Sequence, residues 1–84
     1  MATVLLTSEA QRTLRGLPVA MLPRVHDVLA RLARWPEVSG AKPLKKNLAG
    51  HWRMRTGDFR IQFYVRGETV IVVKIANRRG FYDE

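Results

Sequence analysis

The sequence predicts an α+β fold of order β-α-α-β-β-β, with two N-terminal helices packed on one face of a mainly antiparallel sheet. Three observations predict it. Apolar residues between positions 8 and 34 recur at helical spacing, whereas from His51 onward the period drops to two. The later strands are joined by connections too short for parallel crossovers, so they form an antiparallel meander. The 84 residues suffice for one domain, expected over 1–84.

Thr3 to Leu6 is a short β-branched, apolar run and reads as an edge or outer strand. Ser8 offers an N-cap with Gln11 three residues later, the spacing of a capping box. Ala10, Leu14 and Leu17 then follow at helical spacing, so the first helix is expected from Ser8 to about Arg15, closed by Gly16. Pro18 suits the first turn of the next helix. Leu22, Val25, Leu29 and Leu32 form its stripe, with Val28 and Trp35 beside it, and it is expected to run to Arg34, before Pro36. Pro23 allows two readings: the helix begins there, or it is kinked there. Glu37 to Pro43 reads as loop. His51–Thr56 and Phe59–Arg66 alternate about a Gly57-Asp58 turn, and Thr69–Ala76, after Gly67, is a more apolar strand expected near the centre.

Composition narrows the function. Absence of cysteine excludes a disulfide scaffold, a thiol nucleophile and a thiolate zinc site. An uncharged stretch such as Gly16–Pro23 is too short to span a bilayer, and the N-terminus shows no signal-peptide pattern, so a cytoplasmic protein with no membrane role is expected. Fifteen Lys and Arg against seven acids give +8, and eleven of the fifteen are Arg. Residues 1–41 carry five Arg and three acids, net +2; residues 42–84 carry ten basic residues and four acids, net +6. A polyanionic partner is expected to meet the second half.

Strand alternation gives that charge a location. Trp52, Met54, Phe59, Ile61, Phe63 and Val65 are expected to face the helices, and Arg53, Arg55 and Arg60 the opposite, open face. Lys74 joins them if the register allows. Clustered Arg on neighbouring strands repel, and a bound anion would relieve the repulsion; a solvated face that discourages edge aggregation is the plainer reading. The tail Asn77-Arg78-Arg79-Gly80-Phe81-Tyr82 adds guanidinium groups for phosphate and rings for stacking on bases.

The stretch Lys42-Pro43-Leu44-Lys45-Lys46-Asn47-Leu48-Ala49-Gly50-His51-Trp52-Arg53-Met54-Arg55-Thr56-Gly57-Asp58-Phe59-Arg60-Ile61 resembles the central signature of the RelE/ParE toxin superfamily. That signature is a Leu-Lys segment, a Gly, an aromatic, Arg-x-Arg-x-Gly-Asp-aromatic-Arg and an apolar strand. Arg78 with Tyr82 four residues later is similar to the family's end, and the front half with Leu17-Pro18 and Trp35-Pro36 also fits. The resemblance implies a RelE-like fold and the toxin of a type II toxin–antitoxin system. Its RelE branch cleaves mRNA, usually on the ribosome, whereas its ParE branch poisons DNA gyrase. The basic sheet with a C-terminal Arg and Tyr implies the ribonuclease branch; a ParE-like gyrase inhibitor and a catalytically weak RNA- or antitoxin-binding member are the alternatives.

By the same resemblance, Arg53, Arg55, Arg60, Arg78 and Tyr82 match catalytic positions. Arg60 and Arg78 would clamp the scissile phosphate, and Tyr82 would stack on a base or move a proton. The reaction implied is attack of a 2′-OH on the adjacent phosphate, with no cofactor or metal. The chain departs from the family in carrying Arg at both 53 and 55, and Asn77 where His is common. Arg exchanges protons poorly near neutrality. His51, expected on the open face, is therefore an acid–base candidate as well as a plain surface residue beginning a strand. Lys45, Lys46, Lys74 and Arg79 are expected to steer RNA. Implied partners are a cognate antitoxin in a hetero-oligomeric complex, mRNA and the ribosome. His26 reads as helix surface or antitoxin contact, Trp35 and Trp52 as packing residues, and Asp58 as a turn cap.

Overall fold

The computed structural model describes residues 1–77. Nine short elements follow in order: β1 (Thr3–Leu6), α1 (Ser8–Arg15), a 3-10 turn (Val19–Met21), α2 (Leu22–Leu32), β2 (Lys42–Pro43), a second 3-10 turn (Lys46–Leu48), β3 (His51–Thr56), β4 (Phe59–Arg66) and β5 (Thr69–Asn77). The strands form one sheet of order β1-β5-β4-β3-β2. β1 lies parallel to β5, and every other pairing is antiparallel. This is the expected α+β arrangement with one added strand. β4, not β5, is the middle strand.

The first helix is capped one residue earlier than the capping-box spacing suggests. Thr7 is extended (φ −64°, ψ 165°), and its hydroxyl accepts a hydrogen bond from the Ala10 N–H at 3.2 Å. Gln11 instead donates through Nε2 to the Leu6 carbonyl at 3.0 Å. Thr7 wins because its N–H is already used by the Val72 carbonyl of β5, which holds it at the strand–helix junction. Thr7→Ala is expected to cost about 1 kcal/mol, read as a lower urea midpoint with an unchanged slope.

Pro18 precedes the 3-10 turn, and Pro23 stands at the start of α2, where its missing N–H costs no hydrogen bond. The choice left open by the sequence is thus settled: α2 begins there. It ends at Leu32, two residues short of expectation, and residues 33–36 continue as turns into a cis Trp35–Pro36 bond.

Both helices cover the same face. Ala10, Val25, Val28 and Leu32 meet Met54, Ile61, Phe63, Val70, Val72 and Ile75 of the sheet, all buried. Trp35 closes the core with edge-on contacts to Trp52 and Phe63, at centroid distances of 5.1 and 5.4 Å. Both tryptophans therefore pack as expected.

Two tight hairpins align β3, β4 and β5. Thr56 pairs with Phe59 around Gly57-Asp58, and Arg66 with Thr69 around Gly67-Glu68. Gly57 (φ +59°) and Gly67 (φ +60°) occupy the first central position, where the type II′ turn requires positive φ. β2, expected as loop, pairs Lys42 with Arg53 and Pro43 with Trp52. Proline is tolerated there because β2 is the sheet edge.

Candidate nucleic-acid interface

The sheet face away from the helices is built in cross-strand rows. Arg55 of β3 lies directly opposite Arg60 of β4, and Ala76 of β5 lies on the other side of Arg60. The next row is Lys42, Arg53, Gln62 and Lys74. The third is His51, Tyr64, Ile71 and Leu5, the last 53% exposed. Across these three rows, guanidinium and ammonium groups near the Gly57 turn give way to rings and aliphatic groups, and a fourth row of Arg66, Thr69 and Thr3 returns a guanidinium to the far end.

Lys74 reaches this face only because β5 is irregular. Val70 and Val72 are core residues, so strict alternation would point Lys74 into the core. A register shift next to Gln62 and Phe63 pairs Phe63 with Val72 but Gln62 with Lys74. One extra residue in β5 reverses the phase, so Ile75 enters the core and Lys74 the basic row. Burying an unpaired ammonium under the helices would be far costlier than the local disruption.

Arg60 departs from the expectation of an exposed face, and Gln62 shares its burial. Both lie on it, yet they are only 5% and 6% exposed. β4 is the middle strand, so both residues are covered on two sides, Arg60 by Arg55 and Ala76 and Gln62 by Arg53 and Lys74. Arg60 Nη1 donates to the Gly57 and Phe59 carbonyls at 3.4 and 3.3 Å, tying the guanidinium to the β3–β4 turn. Its Nε is buried without a hydrogen-bond partner among the described residues. Arg60 carries a buried positive charge directly opposite the exposed Arg55 on the neighbouring strand, and an anion at this face would offset both.

Gln62 contacts the imidazole directly. Its Nε2 lies 2.9 Å from His51 Nδ1. The Tyr64 ring stands 5.2 Å from the imidazole, tilted by 44°. His51 thus lies on the open face as expected, and it is held from two sides.

Arg53 is half-buried and Arg55 exposed, as are Lys45 just before the second 3-10 turn and Lys46, its first residue, which has φ +61°. The structure brings together Arg53, Arg55, Arg60, Lys74 and His51. Arg78, Arg79 and Tyr82 lie outside the described residues. Sequence reasoning missed Lys42, Gln62 and Tyr64 as members of the site. Gln62 and Tyr64 share the parity of Arg60, which was a usable signal; Lys42 carried none, because a two-residue strand has no period. His26 is exposed on α2, and Asp58 is exposed in its turn. No group of three or more His, Asp or Glu placed to hold a metal occurs among the described residues. No described helix is long and apolar enough to cross a membrane.

Residues 4–82 match a family model described as the ParE toxin of the type II toxin–antitoxin system parDE. The chain is 34% identical over 83 residues to a Mycobacterium tuberculosis protein named Toxin RelG, covering 95% of this chain and 94% of that one. The fold is similar to that in the toxin–antitoxin complex RelBE2 from M. tuberculosis, with a TM-score of 0.79 and 28% identity over 92% of this chain and 98% of that one. It is also similar to the isolated Escherichia coli RelE toxin, with a TM-score of 0.76, over 92% of this chain and 84% of that one. At 12% identity, that likeness is one of fold.

Proposed function

The chain belongs to the RelE/ParE superfamily of toxins of type II toxin–antitoxin systems, and from that premise we propose that it is a metal-independent endoribonuclease cleaving mRNA in association with the ribosome. The observation that carries this reading is the Arg55–Arg60 pair: two arginines directly opposite on adjacent strands of the open face, one exposed and one buried and tied to the β3–β4 turn. Such a pair suits a phosphodiester whose charge rises during reaction.

In the proposed reaction the 2′-oxygen forms a bond to the adjacent phosphorus and the bond from phosphorus to the 5′-oxygen breaks. The 2′-OH proton is lost and the leaving oxygen gains one. The products are a 2′,3′-cyclic phosphate and a 5′-hydroxyl. Arg55 meets the phosphate from solvent and Arg60 from the sheet, so the pentacoordinate phosphorane is stabilised by donors already in place. Arg53, Lys42 and Lys74 hold the flanking backbone, and Lys45, Lys46 and Arg79 steer it. Arg78 and Tyr82 would add a second phosphate clamp and a stacking or proton-moving ring, and His51 an imidazole. A cognate antitoxin restrains the toxin by covering this face. The +6 balance of residues 42–84 favours rapid association with an acidic partner.

Primer-extension mapping of mRNA after induction tests the assignment. Discrete cuts are expected. Intact mRNA together with inhibited DNA supercoiling would overturn it in favour of gyrase inhibition, the second reading, which the ParE description of the matching family model favours. Affinity for single-stranded RNA should also fall steeply with salt. With Arg53, Arg55, Arg60 and Lys74 engaged, the slope of log K against log salt should be about −3, and a flat titration would remove this face as the RNA site.

A further inference from the structure

We infer that Gln62 fixes His51 in the tautomer with its proton on Nε2, making this imidazole a hydrogen-bond donor toward an anionic oxygen on the open face rather than a proton acceptor. A Gln Nε2 can only donate, so His51 Nδ1, 2.9 Å away, is the acceptor. In the neutral ring the proton then sits on Nε2.

Three features make this arrangement specific. Gln62 is 6% exposed, so water competes little for its amide. Its cross-strand neighbours in the sheet are Arg53 on one side and Lys74 on the other. Two flanking cations favour the amide with Oε1 turned toward them and the NH2 group toward the imidazole. Finally, the ring's own position is constrained. The Leu44 N–H donates to the His51 carbonyl at 2.9 Å, and the Tyr64 ring stands 5.2 Å from the imidazole.

The chemical consequence follows from proton inventory. A neutral imidazole protonated on Nε2, with Nδ1 engaged by Gln62, has no free lone pair to take the 2′-OH proton. It can donate Nε2–H to a phosphate oxygen or to the leaving 5′-oxygen. Among the described residues Gln62 is therefore a positioning residue acting through His51. This consequence for cleavage rests on the ribonuclease reading; the tautomer does not.

The test is a long-range 1H–15N spectrum of the His51 ring in its neutral form, on the full chain. Wild type should show a protonated Nε2 and a bare Nδ1. Gln62→Leu, of similar volume, should give a mixture of tautomers, and Gln62→Glu should move the proton to Nδ1. A wild-type proton on Nδ1, or a tautomer unchanged by Gln62→Leu, overturns the inference. Cleavage provides the second readout. Gln62→Leu should slow it by up to about tenfold, the loss of one hydrogen bond, when His51 is present and not at all in a His51→Ala background. Equal slowing in both backgrounds would show that Gln62 does not act through His51. A wild-type chain that cuts no RNA would defeat the ribonuclease reading, while the spectrum would still decide the tautomer.

Discussion

Arg60→Lys is expected to lower RNA cleavage about 10²–10³-fold, the loss typical of removing a preorganised donor to a developing oxyanion. Lysine keeps the positive charge but replaces a rigid fork of donors with a single ammonium, so charge alone cannot rescue the rate. Binding of RNA should weaken much less than cleavage, because the ground-state phosphate needs charge and the phosphorane needs geometry. Arg60→Ala makes a poorer probe of chemistry. The side chain is buried and ties the β3–β4 turn to itself through the Gly57 and Phe59 carbonyls, so its removal also loosens the hairpin. Arg55 is exposed, and Arg55→Lys should leave stability unchanged while slowing cleavage. Single-turnover cleavage beside RNA binding, with thermal unfolding as a control, checks both. Full activity of Arg60→Lys would remove this pair from the reaction.

Phe63→Ala is expected to destabilise the protein by about 3–5 kcal/mol. Phe63 is fully buried in the middle strand, under the helices and edge-on to Trp35. Truncation therefore loses transfer energy, a ring pair and the closing contact of the core. Domains of this size hold only about 5–15 kcal/mol in total, so the variant should be partly unfolded at ambient temperature. Phe63→Leu keeps most of the volume and should cost about a third as much. Urea unfolding monitored by tryptophan fluorescence separates the two. Equal midpoints for wild type and Phe63→Ala would show that the core does not depend on this ring.

The elements that local chemistry specifies were legible in the sequence. Period-two alternation located β3 and β4, because each side chain on a strand answers to its own face. Gly57 and Gly67 marked the hairpins, because type II′ turns need positive φ at their first central residue. The apolar stripe from Leu22 to Leu32 marked α2, although its end was overestimated. The extension to Arg34 failed because Pro36 constrains the chain just before it, and residues 33–36 turn instead. Parity alone places Arg53, Arg55, Arg60 and His51 on the face they occupy.

What the tertiary structure decided lies in contacts between distant residues. That β1 adds parallel to β5 and that Thr7, held by the Val72 carbonyl, caps α1 in place of Ser8 depend on partners far away in sequence, and that Lys42–Pro43 pairs with β3 depends on a partner strand across a loop. The bulge that turns Lys74 outward is a compromise between β4 and β5: strict alternation would have buried a charge, and no local pattern records which strand yields. Burial of Arg60 and Gln62 follows from β4 being the middle strand, a property of strand order rather than of its own residues. The sequence by itself thus determined which residues carry the charge and which face each strand shows. Only the assembled sheet decided how those charges stand against one another, because register and burial are set by pairing energies summed over strands, not by any one segment.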